Sequence, residues 1–241
     1  MRLDLLLVEK KLVQSRARAQ AMIKAGKIKV EGFKGAKAST DIPEDAVIKL
    51  LEQDHPYVSR AAFKLKAIIE ATGFKFKDKI VLDLGASTGG FSQVALEEKA
   101  KHVYAVDVGH GQLDERLKSD KQITSLEKTD ARTLTPQMVR KAPDVLLCDV
   151  SFISSTKILP HVLLLFPSIV DVFVLVKPQF ELTKEDIGPG GIVRNKQRQQ
   201  DALTRVKECL QGLGFSTPTF IKAPMAHGGM NQEFMLHGRR G

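Results

Sequence analysis

From about residue 56 onward, short apolar runs alternate with segments whose apolar positions recur every three or four residues. The runs predict strands near 80–84, 103–107, 123–127, 144–149, 171–177, 217–221 and 232–237, with helices between most of them. That alternation is the pattern of a doubly wound α/β fold with a seven-stranded, mostly parallel sheet. Ahead of the first strand, Ser59 is placed to cap a helix reaching about Ala71, with Ala62, Leu65 and Ile69 on one face. The most apolar stretch, Ile158 to Val176, contains Pro160, His161, Pro167 and Asp171, so it reads as a core helix, a turn and a buried strand, not a membrane span. Residues 178–196, with Gly188, Pro189, Gly190 and Gly191, read as a long loop and a flexible lid.

Before residue 56 the pattern is different. Leu3 to Leu12 reads as a short helix. Ser15 is a plausible cap for a second helix, with Gly26 as its stop. Ala19, Met22 and Ile23 form an apolar face on that helix, while Arg16, Gln20 and Lys24 recur every four residues on another. Ile28 and Val30 then alternate with Lys27 and Lys29, as on a half-buried strand, and 47–51 supplies a second. The expected organisation is a small α+β domain, 1–55, joined by a polar connector to an α/β domain, 56–241.

Charge sharpens this division. The chain carries a formal net charge of +9, and residues 1–38 hold ten lysines and arginines against three acids. Most of the excess thus sits on the small domain. A charge run is commonly just a solvated face, but one concentrated on a compact helix–helix–strand unit suggests a nucleic-acid surface. The candidate RNA contacts are Arg2, Arg16, Arg18, Lys24 and Lys27, with Arg60 at the start of the second domain. Asp4, Glu9 and Lys10 interrupt the N-terminal apolar run, which argues against a signal peptide and for a cytoplasmic chain without stable membrane insertion. Two cysteines, Cys148 and Cys209, show no metal-ligand spacing and no disulfide framework, and Cys148 reads as a small buried hydrophobe.

Candidate chemistry begins at IVLDLGASTGGF, Ile80 to Phe91, a strand, a glycine turn and a helix start. Gly85 permits the tight turn, and Gly89 and Gly90 leave room for a ligand to approach the backbone. The spacing is not the dinucleotide fingerprint, since Ala86, Ser87 and Thr88 follow Gly85. Asp83 is a poor neighbour for a pyrophosphate and a good one for a cation, which favours S-adenosylmethionine over NAD, although a dehydrogenase stays open. Asp107, at the end of the next strand, suits ribose hydroxyls in either class. Asp149 and Lys177 end the apolar runs VLLCD and FVLVK, so both are expected in the same crevice. Lys64 on the preceding helix and Glu233 in the last strand are further candidates, each with a plain reading as a surface charge. His227 with Gly228 and Gly229 either lines an RNA entrance or is an ordinary loop.

The small domain resembles the RNA-binding domain first described in ribosomal protein S4, through Arg2-Leu3-Asp4, Ser15-Arg16 and the run Ile23 to Gly32. In order along the rest of the chain, SRAAFKL, LDLGASTGGF, CDVSF, LVKPQFE and NQEF resemble the FtsJ-type ribose 2′-O-methyltransferases. The two parts together are similar to the TlyA, or hemolysin A, family. The resemblance implies a class I methyltransferase fold, S-adenosylmethionine as donor, and 2′-O-methylation of a cytidine in ribosomal RNA. It implies a catalytic tetrad of Lys64, Asp149, Lys177 and Glu233, and cofactor contacts at Asp83, Gly85, Ser87, Gly89, Gly90, Asp107, Asp130 and Asp149. The chain ends soon after its final strand, a form associated in this family with large-subunit rRNA. Chemically, a ribose hydroxyl must lose its proton as it attacks the methyl group, and a neutral lysine is able to accept it. Lys177 is the expected base and Lys64 the group that orients the ribose. Two rival readings remain: a haemolytic pore, and a noncatalytic rRNA assembly factor.

Overall fold

The computed structural model describes residues 1–13, 15–51, 56–224 and 231–241, and the backbone but not the side chain of Pro218. His227, Gly228 and Gly229 lie outside the described residues. The chain divides into two compact units, Met1–Pro56 and Tyr57–Gly241.

In the first unit, α1 (Leu3–Glu9) and α2 (Arg16–Lys24) precede an antiparallel pair, β1 (Ile28–Val30) and β2 (Ile48–Leu50). Ser15 caps α2 as its position predicts, its hydroxyl accepting from the Arg18 N–H. The first helix is shorter than the apolar pattern suggests. Its last turn closes at Lys10, and Lys11 takes a left-handed φ of 54°, which a helix cannot continue. Leu3, Leu6, Leu7, Ala19, Met22, Val30 and Ile42 form the buried core.

The second unit begins with α3 (Ala61–Thr72) and continues through β3 (Ile80–Leu84), α4 (Gly90–Glu97), β4 (His102–Val106), α5 (Glu115–Lys118), β5 (Ile123–Leu126), β6 (Val145–Cys148), α6 (Leu159–Leu165), β7 (Asp171–Val176), α7 (Pro178–Glu181), α8 (Lys196–Gly212), β8 (Phe215–Lys222) and β9 (Phe234–Arg240). Its seven strands lie in the order β5-β4-β3-β6-β7-β9-β8, parallel except for β9, which runs antiparallel to both neighbours. The strand period of two separates two cores. Leu82, Leu84 and Leu146 pack on the face covered by α6 and α8, and Val81, Leu147 and Phe173 on the face covered by α3 and α4. The chain leaves β3 for β4 on one side, while β6 pairs on the other. A crevice opens where a parallel sheet reverses its direction of growth, beyond the carboxyl ends of those strands.

Two expectations need correction. Glu233 precedes the last strand, which starts at Phe234, although its carbonyl still accepts from the Ala223 N–H at 2.8 Å. Residues 178–196 are not an open lid. They contain α7 and two 3₁₀ turns, Lys184–Asp186 and Pro189–Gly191. Asn231 accepts from the Val193 N–H at 2.7 Å and donates to the Gly191 carbonyl at 2.8 Å, and Val193 is buried beneath. These contacts come from forty residues away, where local glycine content gives no hint of them.

Candidate active site

The crevice at the switch point is a cleft of about 220 Å³ lined by Ser59, Asp83, Gly85, Ser87, Asp149 and Lys177, among others. Three strand ends deliver its charges: Asp83 within β3, Asp149 one residue past β6, and Lys177 one residue past β7.

Asp83 is fully buried on the sheet face that meets α4. One carboxyl oxygen, Oδ2, accepts from the Ser92 hydroxyl at 2.6 Å, and the other, Oδ1, has no hydrogen-bond partner among the described residues. Burial pushes its pKa up to about 7, against the opposing Ser92 hydrogen bond, and Asp149 adds to the rise. A buried oxygen without a partner, facing a cleft, invites a donor or a cation.

The glycines have a more specific explanation than the sequence offers. A Cβ at Gly85, whose φ is 76°, would lie 2.5 Å from the Asp149 carbonyl oxygen. At Gly90 it would lie 2.4 Å from Ser59 Oγ, and at Gly89 2.3 Å from a Leu117 methyl. The backbone neighbour makes glycine obligatory at Gly85; at Gly89 the φ of 97° favours glycine, and at Gly90 the near atom is a side-chain hydroxyl. Gly85 and Gly90 still line the cleft, whereas Gly89 supports it from behind. Asp107 joins this loop rather than standing apart, since its carboxylate accepts from the Ser87 N–H at 2.8 Å and the Gly109 N–H at 2.7 Å. Ser87 itself has a φ of 49°. Asp130 caps a 3₁₀ turn, Ala131–Thr133, and pairs with Arg132, whose guanidinium holds its pKa at about 2. It is not among the residues lining the cleft.

The four expected catalytic residues form two close ion pairs. Lys177 Nζ lies 2.6 Å from Asp149 Oδ1 and donates to Ser151 Oγ at 2.7 Å. The contact with Asp149 is close in distance but lacks hydrogen-bond geometry. Lys64, on α3 between the buried Ala62 and Leu65, reaches Glu233 Oε2 at 2.5 Å. All four side chains are largely withdrawn from solvent, with between 12% and 21% exposed. They form one electrostatic unit: burial raises the Asp149 pKa, Lys177 and then Lys64 oppose the rise, and Glu233 adds to it. Cys148, next to Asp149, is an inert neighbour whose thiol burial pushes up to about 12.

Sequence reasoning missed Phe152. It is 91% exposed, adopts a φ of 64°, and follows Ser151 of the cleft. Its ring lies 5.2 Å from that of Phe180 in α7. A large exposed aromatic in a strained conformation is a signal that only the folded chain reveals.

In the N-terminal unit, the candidate RNA contacts Arg2 and Arg16 converge on one residue. Asp4 accepts from Arg2 Nε at 3.0 Å and Nη2 at 3.1 Å, from Arg16 Nε at 2.9 Å and from Gln20 at 2.8 Å. These partners cover it completely, while the two arginines stay about half exposed. The Arg2 guanidinium, with help from Gln20 and Arg16, holds the Asp4 carboxylate far below its ordinary range. Arg18 and Lys27 are partly exposed, Lys24 is exposed, and Arg60 is exposed at the N-cap position of α3.

Residues 57–240 match the model of the FtsJ-like methyltransferases, and residues 1–41 match that of the S4 domain. The chain is 36% identical over 236 residues to the 16S/23S rRNA (cytidine-2′-O)-methyltransferase TlyA of Mycobacterium tuberculosis, covering 98% of this chain and 88% of the relative. It is 37% identical over 195 residues to the 23S rRNA (cytidine-2′-O)-methyltransferase TlyA of Campylobacter jejuni, covering 73% and 75%. A solved structure from Streptococcus thermophilus, provisionally named a hemolysin, superposes with a TM-score of 0.75 at 34% identity, over 100% of this chain and 88% of that one.

Proposed function

The chain belongs to the FtsJ-like methyltransferases, and from that premise we propose that it transfers a methyl group from S-adenosylmethionine to the 2′-hydroxyl of a cytidine in ribosomal RNA, with large-subunit rRNA as the favoured substrate and the cytoplasm as its place of action. The observation that carries the proposal is the pairing of Lys177 with Asp149 and Lys64 with Glu233 at a cleft whose innermost carboxyl group, Asp83, has a free oxygen.

The residues fit the cofactor. Asp83 Oδ1 would offer a buried acceptor to a cationic amino group, Gly85 and Gly90 line the cleft, and Asp107, which tethers the Ser87 loop, would hold the ribose hydroxyls. Bound there, S-adenosylmethionine supplies an electrophilic methyl group on a positively charged sulfur. Asp130 lies with Arg132 at the start of the 3₁₀ turn that follows β5, a peripheral cofactor contact in this reading.

Lys177 is the proposed base. Asp149 and Ser151 fix its Nζ at the cleft, so that once neutral its lone pair is available to the ribose hydroxyl. Lys64, oriented by Glu233, would hold the ribose oxygen in line with the methyl group, and alignment of this kind supplies much of the rate in such transfers. Phe152 presents an exposed ring beside Ser151, a stacking surface for an unpaired base. The N-terminal unit supplies phosphate contacts through Arg2, Arg16, Arg18, Lys24 and Lys27, and Arg60 adds one from the second unit.

No helix among the described residues is long and apolar enough to cross a membrane. The reading is tested by titrating salt against rRNA affinity for the full chain and for a chain lacking residues 1–55. The shorter chain is expected to bind more weakly with a shallower salt slope. An unchanged slope would remove RNA binding from the first unit.

A further inference from the structure

Glu181 has no part in the roles described so far. It closes α7, four residues after Lys177, and is 3% exposed. Its carboxyl group takes three hydrogen bonds, from Ser154 Oγ at 2.5 Å, Ser155 Oγ at 2.8 Å and the Ser155 N–H at 2.8 Å. Among the described residues no cation pairs with that carboxyl group. Arg205 of α8 donates instead to the main-chain carbonyl of Glu181, at 2.9 Å. A carboxyl group withdrawn from water and met only by neutral donors costs more than an apolar residue of the same size.

The three bonds join two segments. One follows β6 and carries Asp149, Ser151 and Phe152. The other follows β7 and carries Lys177. The first segment is pinned at its near end, where the Asp149 N–H donates to the Leu84 carbonyl at 2.9 Å. Glu181 pins its far end. Between the pins lie only residues 150–153, and Phe152 there holds a φ of 64°. A non-glycine residue persists in that region only where its surroundings over-determine it, and here the pins at both ends do so.

We propose that Glu181 is a positioning residue: by clamping the segment after β6 onto α7, it holds Lys177 against Asp149 and Ser151 and keeps Phe152 turned outward. This rests on the methyltransferase reading of the same cleft. The Glu181→Gln variant keeps the size of the side chain but replaces one accepting oxygen with a donor facing the serines. In the full chain, with S-adenosylmethionine and ribosomal subunits as substrates, kcat should fall about tenfold or more, because misalignment near the reacting atoms is costly. The KM and Kd for S-adenosylmethionine should stay within about threefold, since Asp83 and Gly85 are not held by the clamp. Hydrogen exchange at the Ser155 amide should rise. A kcat per folded molecule close to wild type, with the Ser155 amide exposed to exchange, would overturn the proposal, because the clamp would be broken without consequence. Should Glu181→Gln fail to fold, Ser154→Ala removes the donor to Glu181 Oε2; the melting temperature should fall, because a buried carboxyl oxygen loses its partner, and kcat per folded molecule should be lowered at a temperature where the variant is fully folded. Unchanged kcat in that variant would count against the clamp. Wild-type protein that binds S-adenosylmethionine yet labels no RNA would overturn the methyltransferase reading itself, a result distinct from any obtained with the variants.

Discussion

Asp4 and Asp83 are both closed off from solvent, and their surroundings are opposite. In the N-terminal unit, Asp4 is covered by Arg2, Arg16 and Gln20, and its pKa is driven down. In the catalytic unit, Asp83 meets the Ser92 hydroxyl and, among the described residues, no cation, and burial drives its pKa up to about 7. The first carboxylate is satisfied within the chain and organises the two arginines around it. The second is left incomplete by its own chain, as expected of a group that awaits a ligand. Asp149 stands between them, deeply placed like Asp83 but already matched with Lys177.

The largest effect should come from making Asp149 resemble Asp83. Lys177→Ala removes the neighbouring cation and the proposed base together. Turnover should fall by roughly 10²–10⁴, while isothermal titration still finds S-adenosylmethionine bound. Near-normal turnover would remove Lys177 from the chemistry.

Asp83→Asn tests the other side. Loss of a charge-assisted contact to the cofactor should weaken S-adenosylmethionine binding by about 10- to 100-fold. Stability should move the opposite way. A raised carboxyl pKa means the folded state holds its proton longer than the unfolded chain. Stability is therefore greatest below the unfolded value and declines as pH rises toward about 7. Without cofactor at pH 8, the Asn variant should be more stable, by an amount on the order of 4 kcal/mol at most. Cofactor affinity of the wild type should also drop as pH falls below about 7, as Asp83 takes up a proton. A variant less stable than wild type at pH 8 would contradict the account of Asp83.

Much of this site is legible in the sequence. The strand ends bearing Asp83, Asp149 and Lys177 follow from apolar runs that stop at a charge, because buried parallel strands read as continuous hydrophobic segments. Other features were not legible, since they depend on contacts distant in sequence. The clash that makes Gly85 obligatory is with Asp149, and the bonds that tie down 188–193 come from Asn231. The outward turn of Phe152 shows only as a positive φ. Charge counting treats Asp4 as one of three acids diluting a basic segment, and its burial among arginines reverses that expectation.

That reversal gives the smallest predicted effect. Asp4→Asn removes one negative charge from the basic domain, so simple charge counting predicts tighter rRNA binding. If Asp4 holds Arg2 and Arg16 in place, binding should instead weaken by about two- to fivefold in a filter or fluorescence titration, in keeping with the modest worth of a half-exposed ion pair. The acid limb of stability should change as well. Asp4 contributes above its unfolded pKa of about 3.9, and that contribution is lost as pH falls through the lower folded value. The Asn variant should unfold less steeply below pH 4. Tighter binding by the variant would show that Asp4 merely dilutes the charge.

The central claim is tested most directly by incubating the purified chain with methyl-labelled S-adenosylmethionine and ribosomal subunits lacking the modification, followed by nucleoside analysis. The account predicts label on the ribose 2′-oxygen of a cytidine in large-subunit rRNA. Cofactor binding with no label on rRNA from either subunit would contradict it.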